Sequence, residues 1–182
     1  MSSIHPVRPS RALVRLGLCA ALVFGAVACS DDDGDSRTIE SEDGEVTVSG
    51  DGEGGEGVIT GPDGEETRFS AGDSASLPAG WPEDLPLPAD TELTAGTSTD
   101  GGSTLTVMAV SEGDVPELYE HFRTLLTDQG YDLVVDTLSD LGEETMASIQ
   151  AEGDDHLVAV VLMADVEEEG RTSMSLVVDA NE

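Results

Sequence analysis

The residues with types that could do chemistry are two cysteines, three histidines and 39 carboxylates. Nucleophilic catalysis needs a nucleophile beside a base. No G-x-S-x-G turn occurs, and the two cysteines, Cys19 and Cys29, both fall near the start of the chain. His121 stands between Leu118 and Leu125 at helical spacing, so it reads as a boundary residue of an apolar stripe. His156 follows Gly153, Asp154 and Asp155 and reads as a surface turn residue. Neither has a second His or Cys at the spacing that zinc requires. Paired acids such as Glu143 with Glu144, or Glu167 with Glu169, would serve glycoside hydrolysis only across a cleft, usually with aromatic sugar platforms. Aromatic residues make up 3% of the chain. The expectation is a non-enzymatic protein with no catalytic residue, no metal ligand and no bound cofactor.

Cys29 is the exception, because its surroundings imply a chemistry of their own. In LVFGAVACSDDDGDS, residues 22–36, the chain turns from apolar to acidic at this cysteine. Upstream lie Arg8, Arg11 and Arg15 with no acid, then a 13-residue apolar or small run over 16–28. That run is too short to cross a hydrocarbon core of roughly 30 Å as a helix. A charged start, a short apolar run and a small-residue site are the parts of a secretory signal peptide. Ala26, Val27, Ala28 and Cys29 resemble the lipobox of bacterial lipoproteins, with Ala26 standing where that family most often has Leu. The resemblance implies that residues 1–28 are removed and that the sulfur of Cys29 carries a diacylglyceryl group. It further implies that Cys29 becomes the first residue and holds the protein to the extracytoplasmic face of the cell membrane. Cys19 would leave with the leader, so no internal disulfide could form. One acyl chain binds a membrane marginally, whereas two hold it firmly.

All 39 acids lie after Cys29, opposed there only by Arg37, Arg68, Arg123 and Arg171, which leaves about −35 on the mature chain. Nucleic acid is excluded as a partner, since phosphate binding needs a basic face. Anionic head groups would repel the domain, so the lipid must do the anchoring. All seven basic residues are Arg, a usage that points to a GC-rich genome of the actinobacterial kind. Acid-rich turns could hold a hard cation such as Ca2+ weakly. Residues 29–40 imitate an EF-hand loop, but its first position would be the lipidated Cys29 and position eight is Ser36. Residues 50–58 resemble one copy of a calcium-binding nonapeptide repeat, with Glu where Asp is needed.

These features must be positioned by a small number of elements. Residues 29–42 hold too few apolar side chains to offset chain-ordering entropy and read as a disordered acidic tether. Residues 43–76 repeat a Gly-turn and strand motif, DGEVTVS at 43 and DGEETRFS at 63, around GVIT. They read as a Gly/Asp-rich short β-ribbon or a mobile segment. Residues 77–90 carry Pro78, Pro82, Pro86 and Pro88 and read as a stiff lead-in pinned to the core by Trp81 and Leu85. Residues 91–182 read as a compact α+β domain. Strands are expected at 91–99, 103–111, 131–138, 144–151, 157–164 and 172–179. One helix starts at Asp114, Pro116 and Glu117, carries Val115, Leu118, Phe122, Leu125 and Leu126 on one face, and stops at Gly130. The order ββαββββ predicts one antiparallel sheet with the helix packed on one face. LVAVVLM, residues 157–163, is apolar on both faces and is expected at the sheet's centre.

WPEDLPLP, then a hairpin, then LYEHFRTLLTDQGY resembles small envelope lipoproteins through Trp81, Tyr119, Leu126, Gly130 and Tyr131. Those residue types build cores and caps, so the resemblance implies a fold and no activity. The functional expectation is a lipid-anchored binding or accessory module whose sheet engages an envelope protein or an apolar small ligand. The alternative is a passive acidic or weakly Ca2+-binding surface protein.

Overall fold

The computed structural model describes residues 37–41, 44–50, 54–140, 145–165 and 170–181. The expected leader, Cys29 and the tether up to Ser36 lie outside the described residues. Six strands come first: β1 (Arg37–Ser41), β2 (Gly44–Gly50), β3 (Gly54–Thr60), β4 (Glu66–Gly72), β5 (Thr91–Thr99) and β6 (Thr104–Glu112). Helix α1 (Val115–Asp128) follows, then β7 (Asp132–Asp140), β8 (Thr145–Glu152), β9 (His156–Ala164) and β10 (Arg171–Ala180). All ten strands join one antiparallel sheet in the order β1-β2-β3-β4-β5-β6-β10-β9-β8-β7. The chain meanders from β1 to β6. Helix α1 then carries it to the far edge, and β7 to β10 meander back to pair with β6.

The α+β class and the antiparallel sheet with one helix agree with the sequence reading. The stated order ββαββββ does not, because four further strands, β1 to β4, precede it and extend the same sheet. Two boundaries change with it. Residues Arg37–Ser41, expected in the disordered tether, form β1, with Arg37 opposite Val48 and Ser41 opposite Gly44. The ladder to β2 and a 3.0 Å hydroxyl contact between Thr38 and Thr47 order a segment that buries little apolar surface. Within 43–76, read as a short β-ribbon or a mobile segment, β2, β3 and β4 form strands, and β4 continues them into the main sheet by pairing β5 from Thr67–Thr99 to Ala71–Ala95.

Helix α1 forms for local reasons. The Asp114 carboxylate accepts the Glu117 N–H at 2.9 Å, and Pro116 sits in the first turn, where its missing N–H costs nothing. At the other end Gly130, with φ at +87°, lets the Tyr131 N–H reach the Leu126 carbonyl (3.0 Å) and its own N–H reach Thr127 (3.1 Å). This double closure is the Schellman stop, and only glycine adopts that backbone without strain. The helix lays Val115, Leu118, Tyr119, Phe122 and Leu126 on β7, β8 and β9.

The core is therefore one-sided. It consists of the helix stripe and the alternate residues Leu105, Val107, Ala109, Ala147, Ile149, Ala151, Val158, Val160, Leu162, Met174, Leu176 and Val178. Residues 77–90 cross the same face beside the helix. Leu85 is buried there, Trp81 packs against the cluster, and the Trp81 indole N–H donates to the Leu85 carbonyl at 2.9 Å. The strap starts where Ser76 meets Ser70: the Ser76 N–H donates to Ser70 Oγ at 3.0 Å, and Ser70 Oγ donates to the Ser76 carbonyl at 3.2 Å. A side chain at Gly96 would run into that carbonyl, so the close crossing requires glycine.

Candidate functional site

Three regions carry polar groups or unpartnered apolar groups that function could use. The first is the seam between helix and sheet edge. The Tyr119 hydroxyl donates to one carboxylate oxygen of Asp136, and Arg123 Nε donates to the other at 3.1 Å. The Tyr119 hydrogen bond, helped by Arg123, holds the Asp136 carboxyl below its usual range. The same hydrogen bond, with burial, pushes the Tyr119 hydroxyl above its ordinary value. These three groups satisfy one another and fasten α1 to β7, so they read as a structural clasp.

The second region is a groove of about 560 Å³ on the helix side of β2 to β5, beside the strap. Thr47, Ser49, Ser70, Ser76 and Ser98 line it with hydroxyls, and Leu77 and Pro78 form one wall. Its cation, Arg68, bridges Glu66 at 2.9 Å and is largely exposed. Its carboxylate, Glu56, lies opposite Ser49 and Ser70 in the sheet register.

The third region is the sheet face opposite the helix. Its composition follows from the register. On β6 the outward residues are Thr106, Met108 and Val110. Beside them lie Val177, Ser175 and Ser173 on β10, then Ala159, Val161 and Met163 on β9, then Gln150, Ser148 and Met146 on β8. None of these twelve positions is ionisable. Charged residues make up 25% of the chain, so about three charges would be expected here by composition alone. Met108 and Met163 are each 52% exposed and Met146 41%. Charge returns only at the ends of the strands. Asp179, Glu152 and Asp132 share one end through the pairing of Asp179 with Leu157, Leu157 with Glu152 and Glu152 with Asp132. Glu112 and Glu92 mark the other end, where Arg171 bridges Glu92 at 3.2 Å.

This face corrects the expectation for residues 157–163. Strand β9 does lie inside the sheet, but only its Val158, Val160 and Leu162 are buried, while Val161 and Met163 are exposed. The physical reason is that the helix and the strap both occupy the other face. A strand apolar on both faces was the signal for this surface; its one-sided covering was not legible without the topology.

The other sequence candidates fall as follows. Cys29 lies outside the described residues. His121 is exposed on α1, its ring edge-on to Phe122 with centroids 5.3 Å apart. His156 opens β9 and accepts the Gly153 N–H through its backbone carbonyl at 2.8 Å. Among the described residues, no three His, Cys, Asp or Glu side chains are placed to share a metal ion, and no helix is long and apolar enough to cross a membrane. Glu143, Glu144, Glu167 and Glu169 lie outside the described residues. No protein-family model matches the chain, and no curated protein is significantly similar to it.

Proposed function

We propose that this chain is a lipid-anchored, extracytoplasmic, non-enzymatic binding module of the bacterial cell envelope. The observation that carries the binding reading is the uncharged, methionine-bearing sheet face on a chain of net charge −32. Exposed contiguous apolar patches mark interaction sites, and methionine suits surfaces that adapt to a partner. The anchoring reading rests on the leader-like start and on Ala26-Val27-Ala28-Cys29, with a diacylglyceryl thioether on Cys29. The strap and helix keep the covered face shut, which leaves the opposite face to meet a partner.

The anchor is tested by Cys29→Ser in cells fed a labelled fatty acid. The variant is expected to lose all label and to remain uncleaved at residue 28. A variant that keeps the label would sink the lipid attachment. The binding reading is tested by placing a photo-crosslinking amino acid at Met163 in the full chain. A specific adduct is expected, and its absence at 163, 146 and 108 alike would remove the sheet face as a binding surface.

A further inference from the structure

We infer that the occupant of the open sheet face is a cationic amphipathic helix of a partner protein. This rests on the binding-module reading and names the partner's chemistry. The central observation is the layout of charge. The apolar window spans β6, β10, β9 and β8, and carboxylates stand at both strand ends: Asp179 and Glu152 at one, Glu92 and Glu112 at the other, where Arg171 lies opposite Glu112, bridges Glu92 and leaves that rim the less acidic of the two. Neighbouring strands lie about 4.8 Å apart, so the window is roughly 14 Å from β6 to β8. That matches about three turns of helix laid across the strands. A helix in this orientation would set its apolar stripe on Met108, Val161, Met163 and Met146. Lys or Arg residues on the flank toward Asp179 and Glu152 would then face the more acidic rim, and the other flank would meet Glu92 and Glu112 beside Arg171. Opposed potentials of this kind steer encounter and fix orientation.

The same layout disfavours the other occupants. A second copy would bring two acidic rims, each on a chain of net charge −32, against one another. An anionic bilayer would repel the rims before the apolar window reached it. Neither repulsion applies to a cationic helix.

The test is fluorescence anisotropy of a labelled Leu/Lys amphipathic helical peptide against the purified full chain at near-physiological salt. A Leu/Glu twin of the same pattern serves as the control probe. Saturable one-to-one binding of the Lys peptide is expected, with none of the Glu twin. The triple variant Met108→Gln, Met146→Gln, Met163→Gln keeps every charge and alters only exposed side chains. It is expected to bind at least about tenfold more weakly while melting like the parent. A triple variant that binds as tightly as the parent would reduce the attraction to general acidity and overturn the inference. So would a chain whose self-association, or whose binding to phosphatidylglycerol vesicles, the triple variant abolishes. Crosslinking from residue 163 separates the two levels: an adduct with a partner surface lacking Lys and Arg overturns the cationic helix and leaves the binding module standing.

Discussion

The two faces of strands β6, β10, β9 and β8 are built from the same residues in alternation, yet they differ in kind. The covered face is mostly branched aliphatic: Leu105, Val107, Val158, Val160, Leu162, Ile149, Leu176 and Val178 are all at most 4% exposed. Such side chains have few rotamers and hold one packing arrangement. The open face carries Met146, Met108 and Met163 with Val110, Val161 and Val177 among Ser, Thr, Ala and Gln, and no charge. Surfaces meant only for solvent carry charge, and interiors carry stiff aliphatics. This face lacks the charge of the first and mixes the valines of the second with methionine and hydroxyls, as suits a surface that packs intermittently against something else.

The largest way to break the contrast is to hollow out the covered side. Phe122 is 2% exposed and central to the helix stripe. Phe122→Ala is expected to cost about 3–5 kcal/mol in chemical denaturation. A loss below about 0.5 kcal/mol would mean that the helix does not close the core.

A sharper probe uses one substitution on the covered side that can be repeated on the other. Met174 is 3% exposed, on β10 between Ala109 and Leu162. Met174→Gln puts an amide into that space with no partner prepared for it. The expected cost is about 2 kcal/mol or more, from lost apolar packing and an unpaired polar group. A neutral result would show that water reaches this side of the sheet.

The border of the covered face can be tested by pH. Asp136 lies across from Ile149 on edge strand β7, where α1 overhangs the sheet. The Tyr119 hydrogen bond and Arg123 hold its carboxyl below the usual range, so the unfolded chain binds the proton more readily. Its contribution is therefore complete above the unfolded value of about 3.9 and fades as pH falls through the lower folded value. The stability gap between the parent and Asp136→Asn should be constant near neutrality and shrink below about pH 4. Taking the difference removes the repulsion among the other carboxylates, which acidification also relieves. A gap as wide at pH 2 as at pH 7 would mean that the clasp does not depend on the charge of Asp136.

Much of the covered face was legible in the sequence, because its rules are local. Asp114 caps, Gly130 stops the helix, and Met174, Leu176 and Val178 alternate, so strands and helix fell within about two residues of their places. Trp81 and Leu85 announced the strap by being apolar among prolines. The N-terminal strands were harder. Strand β3 reads GGEGVIT, a poor strand by propensity, and its Gly57 is opposite Phe69, whose ring occupies the space that a side chain at 57 would need. That compensation depends on register, which a single chain does not print. Strand β1 is held by its ladder to β2 more than by burial, so the apolar content of Arg37–Ser41 alone reads as a tether. The open face was hidden for another reason. Residues 157–163 advertised two apolar faces, but which one is covered depends on the crossover of α1, a long-range property.

The last comparison repeats the Met174 substitution on the opposite side. Met163 sits on β9 between Met146 and Ser173, on the open face and 52% exposed. Met163→Gln leaves the amide in water and removes no packing from the core. The expected change in stability is within about 0.5 kcal/mol, the range of ordinary surface substitutions. Gln has a strand propensity no better than Met, so a stabilising effect would not come from the backbone. A cost near that of Met174→Gln would mean that Met163 is covered, and the face would then be an internal contact of the chain. A neutral result leaves a methionine with no part in holding the fold, beside Met146 and on one face with Met108, on a stretch from which charge is missing. Stability alone would then give no reason for an apolar side chain at that position, and an external partner would.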